Sequence, residues 1–513
     1  MLNQGVGSWI ARRARRTPDR VAIVHGDRAL TYRQLHGRVS RLAGALRGLG
    51  VARGDRVAFL GPNHPAYLET LFAAGTLGAV LVPLNMRLAG PELAHHLTDS
   101  GTSVLVYAPA QAAVVASITG GLPLRHVVAL AGPRDGEHGY EDLLAGAAPD
   151  AADEPVGLDE PCLIMYTSGT TGRAKGATLT HGNITWNAIN VLVDADFGQD
   201  EVALVVAPLF HTAALNMLCL PAILKGGTVL VESAFDPARA LALIARHRVT
   251  SMFGVPAIYD AMAATAGWAG ADISSLRTLL CGGAPVPEAT IRTYLARGVT
   301  FIQGYGMTET SPGALLLDAA HVESKAGSAG IPHFFTDVRV VGPGLAEVAP
   351  GERGEIVVAG PNVMAGYWGQ PEATAAAMAS GTWLRSGDVA TADEDGYVFV
   401  VDRIKDVIIS GGENIYPAEV ENAVRDHPAV AECGVIGVPD EKWGETIKAL
   451  VVRRPGAVVS DAELIAHCRE RMAHFKAPTT VEFREALDRT ATGKLQKYKL
   501  RQPFWAGRER TVS

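Results

Sequence analysis

The sequence predicts an α/β protein, with a large N-terminal domain of parallel-rich sheets flanked by helices over residues 1–402 and a smaller unit over 403–513. Three observations carry this. From Arg28 to Val82 helical and extended patterns alternate, and such alternation builds parallel sheets with helices on their faces. The chain has 513 residues, 48% of them apolar, which is more than a single hydrophobic core takes up, so at least two domains are expected. Net charge moves from −9 over residues 1–402 to +2 over 403–513, marking a boundary near Asp402.

Taken in order, the first feature is the basic run Arg12, Arg13, Arg15 and Arg16. No apolar stretch follows it as a signal peptide would require, so it reads as a solvated helix face. Leu30-Thr31-Tyr32 opens a helix, because Leu35, Val39, Leu42, Leu46 and Leu49 recur at helical spacing. Arg56 to Leu60 is a short apolar strand, Tyr67 to Leu77 a second helix, and Val80 to Pro83 a second strand. The longest apolar stretches, Ala73 to Leu84 and Ala213 to Leu224, fall short of the roughly 20 residues a membrane span needs and read as core. Asp406 to Ile415 reads as strand, turn, strand.

Composition excludes several function classes. A net charge of −7 supplies no basic field for nucleic acid. Five cysteines without C-x-x-C spacing argue against a disulfide framework or a zinc site and fit a reducing cytoplasm. All ten lysines lie at or after Lys175, and Lys476, Lys494, Lys497 and Lys499 fall in the last 40 residues.

The first string with chemistry in it follows the buried-strand candidate Pro161 to Tyr166. It reads Thr167, Ser168, Gly169, Thr170, Thr171, Gly172, Arg173, Ala174, Lys175, Gly176. Glycines let backbone N–H groups converge on an anion, the hydroxyls add donors, and Lys175 adds charge, which together make a phosphate cradle. The string is not a Walker A loop, since no G-x-x-x-x-G-K-[ST] order runs through it.

This loop resembles the phosphate loop of the adenylate-forming superfamily of acyl-CoA synthetases, adenylation domains and firefly luciferase. Further strings resemble that superfamily in the same order: Phe210-His211-Thr212, Cys281-Gly282-Gly283-Ala284-Pro285, Gln303-Gly304-Tyr305-Gly306-Met307-Thr308-Glu309-Thr310, Ser386-Gly387-Asp388, Asp402-Arg403-Ile404-Lys405-Asp406, Gly411-Gly412-Glu413-Asn414 and Arg489-Thr490-Ala491-Thr492-Gly493-Lys494. The resemblance implies a carboxylic acid joined to the α-phosphate of ATP with release of pyrophosphate, then acyl transfer to a thiol. It also implies that the C-terminal domain is small, mobile and α+β.

The roles implied are physically sensible. The 167–175 loop would hold the leaving phosphates. Tyr305 would lie against adenine, with Gly283, Ala284 and Pro285 as the opposite wall and Gln303, Gly304 and Gly306 completing the slot. Thr308 would sit near the α-phosphate. Glu309 with Thr167 would hold Mg²⁺, a hard cation that takes oxygen ligands. Asp388 would accept the two ribose hydroxyls, as a carboxylate is a pure acceptor, and Arg403 would reach the ribose or phosphate. Asp402 matches the hinge position. Lys494 would bridge the carboxylate and the α-phosphate as charge develops. With Glu309, Thr308 and His211 it makes up the catalytic candidates. Gly411 and Gly412 would leave a tunnel for the pantetheine arm of CoA. Plant-type coumarate ligases carry lysines near this turn, where Ile409, Ser410 and Gly411 stand here, so Lys405 is the basic residue left to meet CoA's phosphates.

The same resemblance draws the acyl pocket from Leu209, Ala213, Ala214, Met217, Phe253, Val255, Gly304, Met307 and Leu315, nearly all apolar. No Asp follows Phe210 to hold a substrate ammonium; His211 stands there. No basic candidate would pair a second carboxylate. The expected substrate is an apolar monocarboxylic acid, a medium or longer fatty acid or an aryl acid, with CoA as acceptor. A carrier-protein thiol is the alternative acceptor, and a nucleotide-binding protein without turnover or a luciferase-like oxygenase are the remaining classes.

Overall fold

The computed structural model describes residues 3–150, 154–167, 174–283, 286–410, 413–441, 443–472, 474–489 and 495–506, and only the backbone of Lys405 and Asn414. The chain forms two compact units. One comprises Met1–Val338 and Val358–Leu384, the other Arg339–Val357 and Arg385–Ser513.

Two large sheets build the first unit. One has eight strands and a parallel centre through Arg56–Leu60, Val80–Leu84, Val104–Tyr107 and Pro161–Thr167, with antiparallel Lys175–Thr180 and Gly366–Tyr367 at one edge. The other has nine strands, with Val202–Val205, Thr228–Val231, Ser251–Gly254, Thr278–Gly282 and Thr300–Gly306 parallel and Gly313–Leu316 antiparallel beyond them. Strands buried along their whole length, such as Val80–Leu84, are what helices on both faces produce.

The expected helix runs from Tyr32 to Gly48 and buries Leu35, Val39, Leu42 and Leu46 on one face. Each such leucine contributes about 2 kcal/mol by leaving water. Its start is a capping box: the Thr31 hydroxyl accepts from Gln34 N at 3.2 Å, while the Gln34 side chain accepts from Thr31 N at 2.8 Å. The second helix begins at Pro65 and ends against Gly78, whose φ of 68° is the left-handed conformation a helix end favours.

The basic N-terminal run differs in part from its expected solvated face. It lies on the helix Trp9–Arg16, where Arg15 and Arg16 are exposed. Arg12 and Arg13 are half-buried instead, donating to the carbonyls of Asn3 and Leu224. No helix of the described residues is long and apolar enough to cross a membrane. All five cysteines are buried free thiols.

The second unit contains a five-stranded sheet from Ile408–Ser410, Glu413–Ile415, Val430–Asp440, Gly444–Arg453 and Thr480–Phe483, with helices Pro417–Arg425 and Asp461–Arg469. Ile408, Ile415, Val420, Val424, Val435, Ile447 and Leu464 form its core. The hairpin expected over 406–415 is present, with Ser410 opposite Glu413. The unit also holds Arg339–Val357 and the residues from Arg385 onward, so Asp402 lies inside it. The antiparallel pairing of Trp383–Ala392 with Val398–Arg403, and the Arg353 guanidinium 4.2 Å from the Tyr416 ring centre, tie those segments together.

Candidate active site

Candidate residues of the first unit gather at the carboxyl ends of parallel strands, where open α/β sheets bind ligands. Strand Thr300–Gly306 ends in the short turn Thr308–Thr310, which carries Glu309. The turn is held firmly. Asn362, fully buried, donates from Nδ2 to the carbonyls of Thr310 at 2.9 Å and Gly313 at 2.6 Å. Met364 N donates to the Glu309 carbonyl at 2.8 Å.

The Glu309 carboxylate accepts the Tyr367 hydroxyl at 2.9 Å and the Thr167 hydroxyl at 3.4 Å on the same oxygen. Thr167 ends its strand and faces Lys175 on the returning strand. The Lys175 ammonium lies 4.9 Å from the centre of the Tyr367 ring. Four residues from three distant stretches of sequence therefore form one cluster at the mouth of the expected phosphate loop. Ser168, Gly169, Thr170, Thr171 and Gly172 of that loop lie outside the described residues, as do Ala284 and Pro285. Burial first, then the neighbouring Glu309 carboxylate, raises the Tyr367 hydroxyl well above its ordinary pKa, so it stays a donor.

Tyr367 and Asn362 were not singled out by sequence. A Gly-Tyr pair or a lone Asn carries no spacing signal; only the pairing of Gly366–Tyr367 with Lys175–Thr180 brings Tyr367 to Glu309. The donor set is wholly oxygen and includes one carboxylate, which suits Mg²⁺ held jointly with nucleotide phosphates.

Around the expected adenine slot, Gly282 pairs with Gly304, and a Cβ on Gly282 would stand 2.8 Å from the Gly304 carbonyl oxygen. Gly283 has a φ of 83°, a conformation that favours glycine. Gln303 is buried and donates to the Ser328 carbonyl at 2.9 Å. Tyr305 is half-buried opposite Leu315, and Gly306 stands opposite Gly313. Thr308 accepts at its carbonyl from Ser311 N.

His211 is the cap residue of the helix that follows Phe210, and the two rings lie 4.7 Å apart. That helix passes through a five-residue π segment, Leu215–Cys219, a distortion often found at functional sites. Leu209, Ala214, Met217 and Phe253 belong to one buried cluster against which Ala213 and Met307 pack. Val255 is half-buried and Leu315 fully buried.

In the second unit, strand register places Asp388 opposite Arg403 and Val389 opposite Asp402. Asp388 is 4% exposed and lies 3.0 Å from the Arg403 guanidinium. Its place follows the left-handed Gly387, at φ 70°. Asp402 accepts from Arg403 N and Ala418 N, each at 2.7 Å. Burial raises its pKa, opposed by the nearby Lys497 ammonium. Lys497 itself pairs with Glu421 at 2.9 Å. Gly411, Gly412 and Lys494 lie outside the described residues, as does the Lys405 side chain.

The fold and the ordered site strings define the class of adenylate-forming ligases. Residues 10–368 match the AMP-binding enzyme family and residues 419–494 the AMP-binding enzyme C-terminal domain. Feruloyl-CoA synthases of Amycolatopsis sp and Streptomyces sp are 58% identical over 98% of this chain and 100% of theirs. An indoleacetate–CoA ligase of Aromatoleum aromaticum is 42% identical over 97% of this chain and 98% of its own. Among solved structures, a Mycobacterium tuberculosis fatty acyl CoA synthetase matches with a TM-score of 0.80 and 37% identity, covering 98% of this chain and 99% of its own. The chain belongs to the AMP-binding enzyme family. It is an AMP-forming acid–thiol ligase, an ATP-dependent acyl-CoA synthetase that activates a carboxylic acid through an acyl-AMP intermediate and transfers the acyl group to CoA.

Proposed function

We propose that the acid is an aromatic monocarboxylic acid of the hydroxycinnamate kind. The observation that carries this reading is the end-to-end 58% identity to feruloyl-CoA synthases, supported by the 42% identity to an indoleacetate ligase. Met217, Phe253 and Met307 supply flat or polarizable surface of the kind an aromatic ring packs against.

In this reading Lys175 and the loop before it take the leaving phosphates, and Thr167 with Glu309 hold Mg²⁺. The ion would supply charge neutralisation at the phosphates. Tyr367 orients the Glu309 carboxylate through its hydroxyl. Asp388 binds the ribose diol, with Arg403 as its cationic neighbour. Lys494 stabilises the charge that builds between carboxylate and α-phosphate. Residues 403–513 then pivot at Asp402, and Gly411-Gly412 lines the path of the pantetheine arm, with Lys405 toward CoA's phosphates. The enzyme works in the cytoplasm, where ATP and CoA are supplied and five free thiols stay reduced.

Pyrophosphate release measured with ferulate, indoleacetate, octanoate and palmitate tests the reading. It expects kcat/KM for ferulate to exceed that of either alkanoate. A higher value for octanoate or palmitate would refute it.

A further inference from the structure

We propose that buried His333, paired with half-buried Asp194 and backed by Asn216 and Ser311, is the polar end of the acid pocket and receives a hydroxyl on the far side of the acid's ring. The proposal rests on the aromatic-acid reading above. His333 is 2% exposed, and its Nδ1 lies 2.5 Å from the Asp194 carboxylate. A carboxylate only accepts, so Nδ1 carries a hydrogen, and in the neutral tautomer Nε2 presents a lone pair. That Nε2 has no partner among the described residues, and neither have Asn216 Oδ1 and Ser311 Oγ, each also buried.

These atoms share one neighbourhood. Asn216 Nδ2 donates to the Ser311 carbonyl at 3.1 Å. Asn187 donates to the Asn216 carbonyl at 2.9 Å, accepts from Gly313 N at 3.0 Å, and comes within 3.9 Å of the Met217 sulfur. Met307 N donates to the Pro312 carbonyl, which joins the other pocket methionine to the same turn. A Cβ on Gly313 would stand 2.8 Å from His333 Nε2 and 3.0 Å from Asn187 Oδ1. Glycine at 313 thus lets the His333 ring pack close against the backbone there, and a side chain at 313 would displace Nε2.

Buried polar atoms left without a partner are costly, and a site built to bond a substrate hydroxyl discriminates strongly against the analogue lacking it. A phenolic O–H donates to Nε2. A bare ring leaves Nε2 unpaired, and a methoxyl group brings no donor. An alkyl chain end supplies nothing to this wall either, which gives a chemical reason for hydroxyaryl over alkyl acids.

The test is kcat/KM of pyrophosphate release with 4-hydroxycinnamate, cinnamate and 4-methoxycinnamate. The wild-type enzyme should favour the hydroxyl acid over both others by about tenfold or more. His333→Phe and, independently, Gly313→Ala should bring that ratio to within about threefold of unity, while His333→Gln, which keeps an acceptor, should retain part of it. A wild-type ratio near one, or a ratio unchanged in both variants, overturns the proposal. Equal losses on all three acids with the ratio preserved assign the pair a structural role only and also overturn it. Turnover of alkanoates without turnover of any cinnamate is the separate result that removes the aromatic-acid reading and this proposal with it.

Discussion

Replacing Tyr367 by Phe isolates one hydrogen bond in the active-site cluster. The hydroxyl is the shorter of two donors to the same Glu309 oxygen, 2.9 Å against 3.4 Å from Thr167. A hydrogen bond to a charged group is worth about 1.5–3 kcal/mol. Thr167 can tighten and keep part of this, so the net loss should be about 1–2 kcal/mol, or about 5- to 30-fold in acid-dependent pyrophosphate release. Phe retains the ring beneath Lys175, so the cation–π contact survives. Because burial holds the hydroxyl's pKa well above its ordinary value, Tyr367 remains a donor across the working range, and the defect should not vary with pH. The assay measures adenylation over a range of Mg²⁺ concentrations, and separately thioester formation from preformed acyl-adenylate and CoA. Adenylation should fall and require more Mg²⁺, while thioester formation should hold. Unchanged adenylation, or equal loss in both half-reactions, would refute the claim that Tyr367 acts through Glu309.

Two further outcomes are expected. Asp388→Ala removes the buried carboxylate proposed to accept the two ribose hydroxyls and should weaken ATP binding by about 2–4 kcal/mol, about 30- to 900-fold, without changing the affinity for the acid; isothermal titration of each ligand checks this. Asn362→Ala deletes bonds to the Thr310 and Gly313 carbonyls and the one its Oδ1 accepts from Thr336, so the first unit should lose about 2–4 kcal/mol, seen as an earlier melting transition.

What the sequence made legible was local. Leu35, Val39, Leu42 and Leu46 mark their helix because a period of 3.6 is written into neighbouring residues, and Thr31 with Gln34 marks its start. Arg56–Leu60 and the hairpin across 410–413 are legible for the same reason. The ordered strings gave the candidate residues, and the expectation of a phosphate loop came from residue types alone. Convergence was not legible. Tyr367 meets Glu309 across 58 residues of sequence, and the meeting depends on which strand lies at the sheet edge. Asn362 and Asn187 look like ordinary polar residues until the fold buries them over carbonyls that need donors. Arg13 breaks from the charge pattern because a carbonyl at the end of the helix Leu220–Lys225 comes within its reach. The π segment at Leu215–Cys219 has no signature in a run that is apolar but for Asn216.

The central claim is that one lysine of the C-terminal residues serves acyl-AMP formation alone and that the two half-reactions use different arrangements of the chain. Lys494→Ala enzyme, given synthetic acyl-adenylate and CoA in a single turnover, tests it most directly. Thioester should form at close to the wild-type rate while pyrophosphate release from ATP and acid falls by about 10²- to 10³-fold or more. Equal loss in both half-reactions would contradict the account and leave Lys494 a structural residue.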